Sequence, residues 1–95
     1  MGSYKLTKEA EADIIRIHQW GVRVHGEAKA DEYFANFYAC FEMLAQQPRL
    51  FPKAEHVRTG YRKCVCGVDT IYYRIIGDTV EIMNVLGQQD RDEWL

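Results

Sequence analysis

Two apolar arms around a Gly-Asp pair constrain the fold of this chain more strongly than any other feature of its sequence. The arms are residues 70–76 and 79–86, and both are rich in β-branched and aromatic residues. A two-residue loop with glycine first favours a type II′ turn, because glycine readily takes the positive φ that this turn requires. The sequence therefore predicts an antiparallel β-hairpin over residues 70–86.

The register that this turn imposes places each residue of one arm opposite a fixed residue of the other. The predicted pairs, outward from the turn, are Ile76–Thr79, Ile75–Val80, Arg74–Glu81, Tyr73–Ile82, Tyr72–Met83 and Ile71–Asn84. One face then carries the predicted core residues Ile71, Tyr73, Ile75, Val80, Ile82 and Leu86. The other face carries Tyr72, Arg74, Glu81, Met83 and Val85. It is too apolar to be only solvated, so we expect the C-terminal tail or a partner to cover it.

Two helical segments precede the hairpin. Thr7 is typical of an N-cap residue, and the acids that follow it lie where a helix dipole favours negative charge. The first helix has an apolar stripe of Ala10, Ile14, Ile17 and Gly21, and the second, over residues 27–47, has one of Ala30, Phe34, Phe37, Phe41 and Leu44. Gly26 separates the helices and Pro48 ends the second, which predicts an antiparallel helical hairpin.

The remaining segments complete the predicted fold. Residues 3–6 predict a short strand, residues 61–66 predict a strand before the hairpin, and residues 48–60 predict a loop. The fold class is α+β: an N-terminal antiparallel two-helix hairpin packed on one face of a small, mainly antiparallel sheet of three to four strands. With 95 residues, the chain is expected to form a single domain over residues 1–95.

Composition narrows the function classes. No stretch approaches the roughly 18 apolar residues of a membrane span and no signal region is present, so we expect a cytoplasmic protein without a membrane partner. The net charge of −2 argues against direct sequence-specific nucleic-acid binding, although residues 48–63 carry five basic residues against Glu55 alone, a local excess of +4. For Cys40, Cys64 and Cys66 we expect reduced, partly buried thiols, with no metal site or cofactor.

Several strings, taken in order, resemble the ParE toxins of bacterial toxin–antitoxin systems, within the RelE/ParE superfamily. "YKLTKEAEADIIRIHQW" is similar to the first strand and helix of that family. "GYRKCVCG" followed by "IYYRI" is similar to its Gly-Tyr-Arg and aromatic-Tyr-Arg strands, and "VEIMNVLGQQD" to its last strand. The resemblance covers nearly the whole chain. It implies a cytoplasmic bacterial toxin that inhibits DNA gyrase or a related topoisomerase and forms a hetero-oligomer with a ParD-like antitoxin that neutralises it.

The same superfamily leaves two alternatives open. RelE-type relatives cut messenger RNA on the ribosome with sheet arginines and lysines and a C-terminal His or Tyr. Here Asn84 and Gly87 stand where many relatives carry Arg and His, and the tail over residues 87–95 contains neither His nor Tyr. His18, His25 and His56 are not spaced as a catalytic set, so we predict no catalytic residues. The second alternative is a toxin-fold protein that has lost its toxicity.

The candidate functional residues are therefore contacts to a partner. Arg58, Arg62 and Lys63 lie in the basic segment, and Arg74 is either half of a cross-strand ion pair or a contact to the antitoxin. Trp94 is a tryptophan in an acidic tail, where it would fold back onto the open sheet face or mark a partner's position. The full predicted set is Arg58, Arg62, Lys63, Tyr72, Arg74, Met83 and Trp94.

Overall fold

The computed structural model describes residues 2–87 of the chain. Two helices and four strands follow one another over these residues. Their bounds are β1 Ser3–Leu6, α1 Lys8–His25, α2 Glu27–Gln46, β2 Arg62–Cys66, β3 Asp69–Ile76 and β4 Thr79–Leu86. The predicted order of elements and the α+β class are confirmed, and the segment between α2 and β2 is a loop with one β-bridge, between Lys53 and Arg62.

The side chain of Thr7 ties the start of α1 to the sheet. Its Oγ1 accepts a hydrogen bond of 3.1 Å from the Ala10 amide, as the N-cap prediction requires. The same hydroxyl lies 3.0 Å from the carbonyl oxygen of Ile82 and 3.1 Å from that of Met83, both on β4. Because a hydroxyl has one proton, it donates to these two carbonyls as a shared bond. The helix therefore begins at a position fixed relative to β4.

The two helices form the predicted antiparallel hairpin, with Gly26 as the whole link between them. Close to this link, a Cβ built on Gly21 would lie 3.4 Å from the Cβ of Ala30, which shows how closely the helices approach. The His18 ring nitrogen Nε2 lies 2.7 Å from the Asp31 carboxylate and links the helices a turn further on. Small residues at the crossing and this polar pair set the spacing of the hairpin.

The sheet has the strand order β1-β4-β3-β2. Strand β1 pairs parallel with β4, and the other two pairs are antiparallel. Gly77 has a φ of 62°, while no non-glycine residue of the described chain has a positive φ. A turn with positive φ only at its first central residue is of the type II′ kind, which is what the Gly-Asp sequence predicts.

A β-bulge shifts the register of the hairpin beyond Tyr73. The pairs Ile76–Thr79 to Tyr73–Ile82 match the prediction, but Tyr72 then lies opposite Asn84 and Ile71 opposite Val85. The predicted pairs Tyr72–Met83 and Ile71–Asn84 are therefore wrong, because Met83 is an extra residue in β4. The bulge also reverses the predicted burial of two neighbouring residues. Val85, predicted on the open face, is buried with the core, and Leu86, predicted in the core, is only half-buried.

The core lies between the helical hairpin and one face of the sheet. Side chains from both helices and three strands form it: Ala10, Ile14, Ile17, Phe37, Phe41, Leu44, Cys64, Cys66, Ile71, Tyr73, Val80, Ile82 and Val85. Tyr73 is buried within it, and its hydroxyl donates a 2.7 Å hydrogen bond to the Pro48 carbonyl. The three cysteines are free thiols, as expected, and burial raises the pKa of Cys64 to about 11, so that it stays protonated at neutral pH.

Candidate partner-binding surface

The face of the sheet turned away from the helices presents a mixed polar and apolar surface, which we call the outer face. Its residues alternate along the strands with the buried ones: Ser3, Lys5, Lys63, Val65, Thr70, Tyr72, Arg74, Ile76, Thr79, Glu81, Asn84 and Leu86. Val65 and Ile76 are 67% and 48% exposed, whereas Tyr72 and Leu86 are half-buried. The outer face therefore leaves apolar side chains in water beside its charged groups.

Glu81 organises the charges of the outer face. The Arg74 guanidinium donates a 2.6 Å hydrogen bond from Nε to its Oε1, and the Lys5 ammonium lies 3.6 Å from its Oε2. The predicted Arg74–Glu81 pair across β3 and β4 is thus confirmed, and Lys5 of β1 adds a second cation. The hydrogen bond from Arg74 is the main cause that lowers the pKa of Glu81 below its ordinary value. Arg74 is consequently held against the sheet and does not extend into solvent as an isolated cation.

The predicted basic residues separate into different environments. Arg62 lies on the core side of β2, and its guanidinium donates a 2.7 Å hydrogen bond to the Phe51 carbonyl, so it holds the preceding loop in place. Lys63 is half-buried on the outer face, opposite Tyr72. Arg58 is exposed in the loop. Only Lys63 of these three therefore joins Tyr72 and Arg74 on one surface, with half-buried Met83 at the bulge.

Two of the three histidines, His18 and His25, lie on α1 and border one cavity, whereas His56 lies in the loop between α2 and β2. His18 is on α1 against Asp31, His25 stacks edge-on against Trp20 at the end of the same helix, and His56 is exposed in the loop. Among residues 2–87, no group of three His, Cys, Asp or Glu side chains is arranged to hold a metal ion. In the same part of the chain, no helix is long and apolar enough to cross a membrane.

A concave feature lies at the Gly26 end of the helical hairpin. It is a cavity of about 440 Å³ bounded by both helices and by the turn between β2 and β3. Tyr33 fixes that turn: its hydroxyl donates to the Cys66 carbonyl at 3.2 Å and accepts from the Val68 amide at 3.0 Å. Burial first, and then the nearby Asp69 carboxyl group, raise the pKa of the Tyr33 phenol. We call this cavity the helix-end pocket.

Comparison with known proteins decides the family. The family description "ParE toxin of type II toxin-antitoxin system, parDE" matches residues 4–91. The chain belongs to the ParE toxin family. A Toxin ParE1 of Caulobacter vibrioides is 35% identical over 88 residues, which cover 93% of this chain and 91% of that protein. A Toxin ParE1 of Mycobacterium tuberculosis is 29% identical over 90% of this chain and 89% of that protein.

Solved structures confirm the ParE/RelE fold. A chain from a chromosomal ParDE system of P. aeruginosa superposes with a TM-score of 0.80 at 21% identity, covering 92% of this chain and 96% of that one. A chain from the RelBE2 toxin–antitoxin complex of Mycobacterium tuberculosis gives a TM-score of 0.59 at 21% identity, over 92% of this chain and 98% of that one. At this identity the likeness shows the fold alone.

Sequence reasoning missed three features of these surfaces. The bulge at Met83 has no signal in the sequence, and the Thr7 hydroxyl that contacts its carbonyl comes from the distant start of α1. Asp13 of α1 accepts a 2.9 Å hydrogen bond from the Val85 amide beyond the bulge, although its position in the sequence suggested only a favourable helix-dipole charge. The helix-end pocket joins residues far apart in the chain. Trp94, predicted as a contact, lies outside the described residues.

Proposed function

We propose that this ParE family member is the toxin of a type II toxin–antitoxin pair and that a ParD-like antitoxin neutralises it by direct binding. The free chain would act in the cytoplasm by inhibiting DNA gyrase or a related topoisomerase. The observation that carries the proposal is the family match over residues 4–91, which includes both helices, strands β2 to β4 and all of β1 except Ser3. The relatives from Caulobacter vibrioides and Mycobacterium tuberculosis bear the name Toxin ParE1, which supports the same role.

The outer face is the proposed antitoxin surface. Tyr72 on this face and Met83 at the bulge opposite it are half-buried, and Val65 and Ile76 leave apolar area in water at the two ends of the face. An amphipathic antitoxin segment laid across the strands would remove this area from water. Lys63 on the face and Arg58 in the loop would meet acids of the antitoxin, which mainly raises the association rate and sets the orientation of the complex.

The proposed inhibition acts by binding and needs no catalytic group in this chain. Arg74 is engaged by Glu81, and exposed Asn84 lies opposite Tyr72 on the same face. An arginine held by a carboxylate is a poor phosphate ligand, and an amide neither gives nor takes a proton at neutral pH. The outer face is therefore better suited to contact a protein than to cleave RNA.

Two assays test this proposal together. Induction of the chain in bacteria is expected to arrest growth, and co-expression of the antitoxin from the neighbouring reading frame is expected to restore it. With purified chain and gyrase, supercoiling is expected to fall and cleaved plasmid to accumulate. A parallel reaction with ribosomes and a defined message tests the RelE-type activity. Message cleavage that a point substitution in this chain abolishes, without any effect on gyrase, would overturn the proposal.

A further inference from the structure

The helix-end pocket combines aromatic walls with one buried acid. Trp20 of α1 and Tyr33, Phe34 and Phe37 of α2 line it, and Asp69, only 1% exposed, lines it from the start of β3. Its volume of about 440 Å³ falls within the range of roughly 300–1,000 Å³ that is usual for ligand sites. The pocket is thus large enough for a long side chain or a small organic cation.

The pocket is held open by contacts that do not depend on an occupant. Gly21 and Ala30 bring the helices together on one side, and the Tyr33 hydroxyl pins the β2–β3 turn on the other through Cys66 and Val68. A Cβ on Gly67 would lie 2.5 Å from the Tyr33 hydroxyl oxygen, so this turn position requires glycine for space as well as for its φ of 65°. A preformed cavity loses little conformational entropy when a side chain enters it.

The chemistry of the walls selects a cation. Aromatic faces attract positive charge through their quadrupoles, and the attraction strengthens when water is excluded. Asp69 presents a buried carboxyl group to the same cavity, and a buried carboxyl group favours a positive neighbour over a neutral one. Three basic side chains line the pocket as well: Lys29 and His25 are exposed at its rim, and His18 is engaged by the Asp31 carboxylate. The interior therefore favours a positive group on an apolar stem.

We infer that the helix-end pocket receives an arginine side chain of a protein partner, with its guanidinium among the aromatic rings and directed at Asp69. Arginine fits better than lysine because its planar group stacks on aromatic faces and is more weakly hydrated. That the partner is the antitoxin rests on the proposed function. The β2–β3 turn borders both the pocket and the end of the outer face that carries Val65, so one extended segment could contact both surfaces.

A titration of the full chain, followed by ¹H–¹⁵N NMR, tests the chemistry without any antitoxin. The probe is N-acetyl-arginine-N-methylamide, and the control is the citrulline analogue, which has nearly the same shape but no charge. The arginine probe is expected to shift the signals of the Trp20 indole and the Gly21 and Ala30 amides in a saturable way. The citrulline probe is expected to bind about tenfold more weakly or worse. Equal binding of both probes, or shifts located elsewhere, would overturn the inference.

Substitutions connect the effect to the pocket. Asp69→Asn keeps the side-chain size and is expected to lower the affinity for the arginine probe about tenfold. Asp78→Asn, at the exposed hairpin turn, is the matched control and is expected to leave this affinity unchanged. Trp20→Leu provides a second test if Asp69→Asn does not fold. Lys29→Gln is expected to strengthen binding slightly, because it removes a like charge at the rim. A folded Asp69→Asn or Trp20→Leu variant that retains full affinity contradicts the inference.

The outcome is separable from that of the proposed function. The probe experiment concerns only the isolated chain, so growth and gyrase assays do not affect it. If the chain binds arginine selectively but is not toxic, the pocket still receives arginine, and only the claim that the partner is the antitoxin is rejected. If the chain is toxic but does not bind the arginine probe, the proposed function stands and the arginine site is rejected.

Discussion

The two faces of the sheet differ in what fixes their side chains. On the face toward the helices, hydrocarbon packing surrounds Ile82 and Tyr73, and polar tethers from Thr7 and Asp13 reach the backbone of β4. On the outer face, one carboxylate, Glu81, holds two cations, while apolar side chains such as Ile76 remain in water. Substitutions on the first face should therefore change stability, and substitutions on the second should mainly change binding.

The largest contrast in stability is expected between two isoleucines of the same hairpin. Ile82→Ala removes a fully buried side chain and should lower the free energy of unfolding by about 2–5 kcal/mol. Ile76→Ala, at a position 48% exposed, is the matched control and should change it by less than about 1 kcal/mol. Urea unfolding of both variants measures the contrast. Equal losses would mean that the two faces do not differ as described.

Asp13→Ala probes the tether beyond the bulge. The substitution leaves the Val85 amide without its 2.9 Å acceptor, which should cost about 1–3 kcal/mol of stability. Glu11→Ala is the control, because it removes an exposed acid from the first turns of the same helix and should cost only about 0.3–1 kcal/mol. Hydrogen exchange at Val85 should accelerate in the Asp13 variant alone. Unchanged exchange there would show that the carboxylate does not hold the bulge.

Arg74→Ala should have a small effect on the fold and none on the antitoxin. An exposed cross-strand ion pair contributes roughly 0.2–1 kcal/mol, so the thermal midpoint should fall only slightly. Antitoxin affinity, measured by calorimetry, should stay within a factor of two or so, because the guanidinium is already engaged by Glu81. A large loss of affinity at unchanged stability would instead make Arg74 a contact residue.

The smallest expected effect is a dependence of stability on pH. Because the folded pKa of Glu81 is lowered, its ion pairs stabilise the protein above its ordinary pKa of 4.5, and this contribution is lost as the pH falls through the folded value. The stability difference between the natural chain and Glu81→Gln should therefore be constant near neutral pH and should disappear in acid. Thermal unfolding of both proteins from pH 7 downward measures it. A difference that persists in strong acid would exclude the ion pairs as its source.

The hairpin shows how far local sequence determines this structure. Gly77 and Asp78 fix the turn, and the two-residue loop then fixes the four cross-strand pairs next to it, including Arg74–Glu81. Both the turn and these pairs follow from residues that are neighbours in the sequence. Beyond Tyr73, the register shifts where Thr7 and Asp13 contact β4 from more than seventy residues away in the sequence. The bulge and the burial of Val85 therefore needed the three-dimensional structure, as did the helix-end pocket.

The central claim is that the outer face binds the antitoxin through its apolar centre. Its most direct test is a calorimetric titration of the neighbouring antitoxin into Tyr72→Asp and Met83→Asp. Ile15→Asp, at a half-exposed position on α1, and Arg58→Ala are the controls. A charge forced into a dry interface should cost several kcal/mol, roughly a hundredfold or more in affinity, whereas Arg58→Ala should cost about 1 kcal/mol and Ile15→Asp nothing measurable. Unchanged affinity of the folded Tyr72→Asp and Met83→Asp variants would contradict the account.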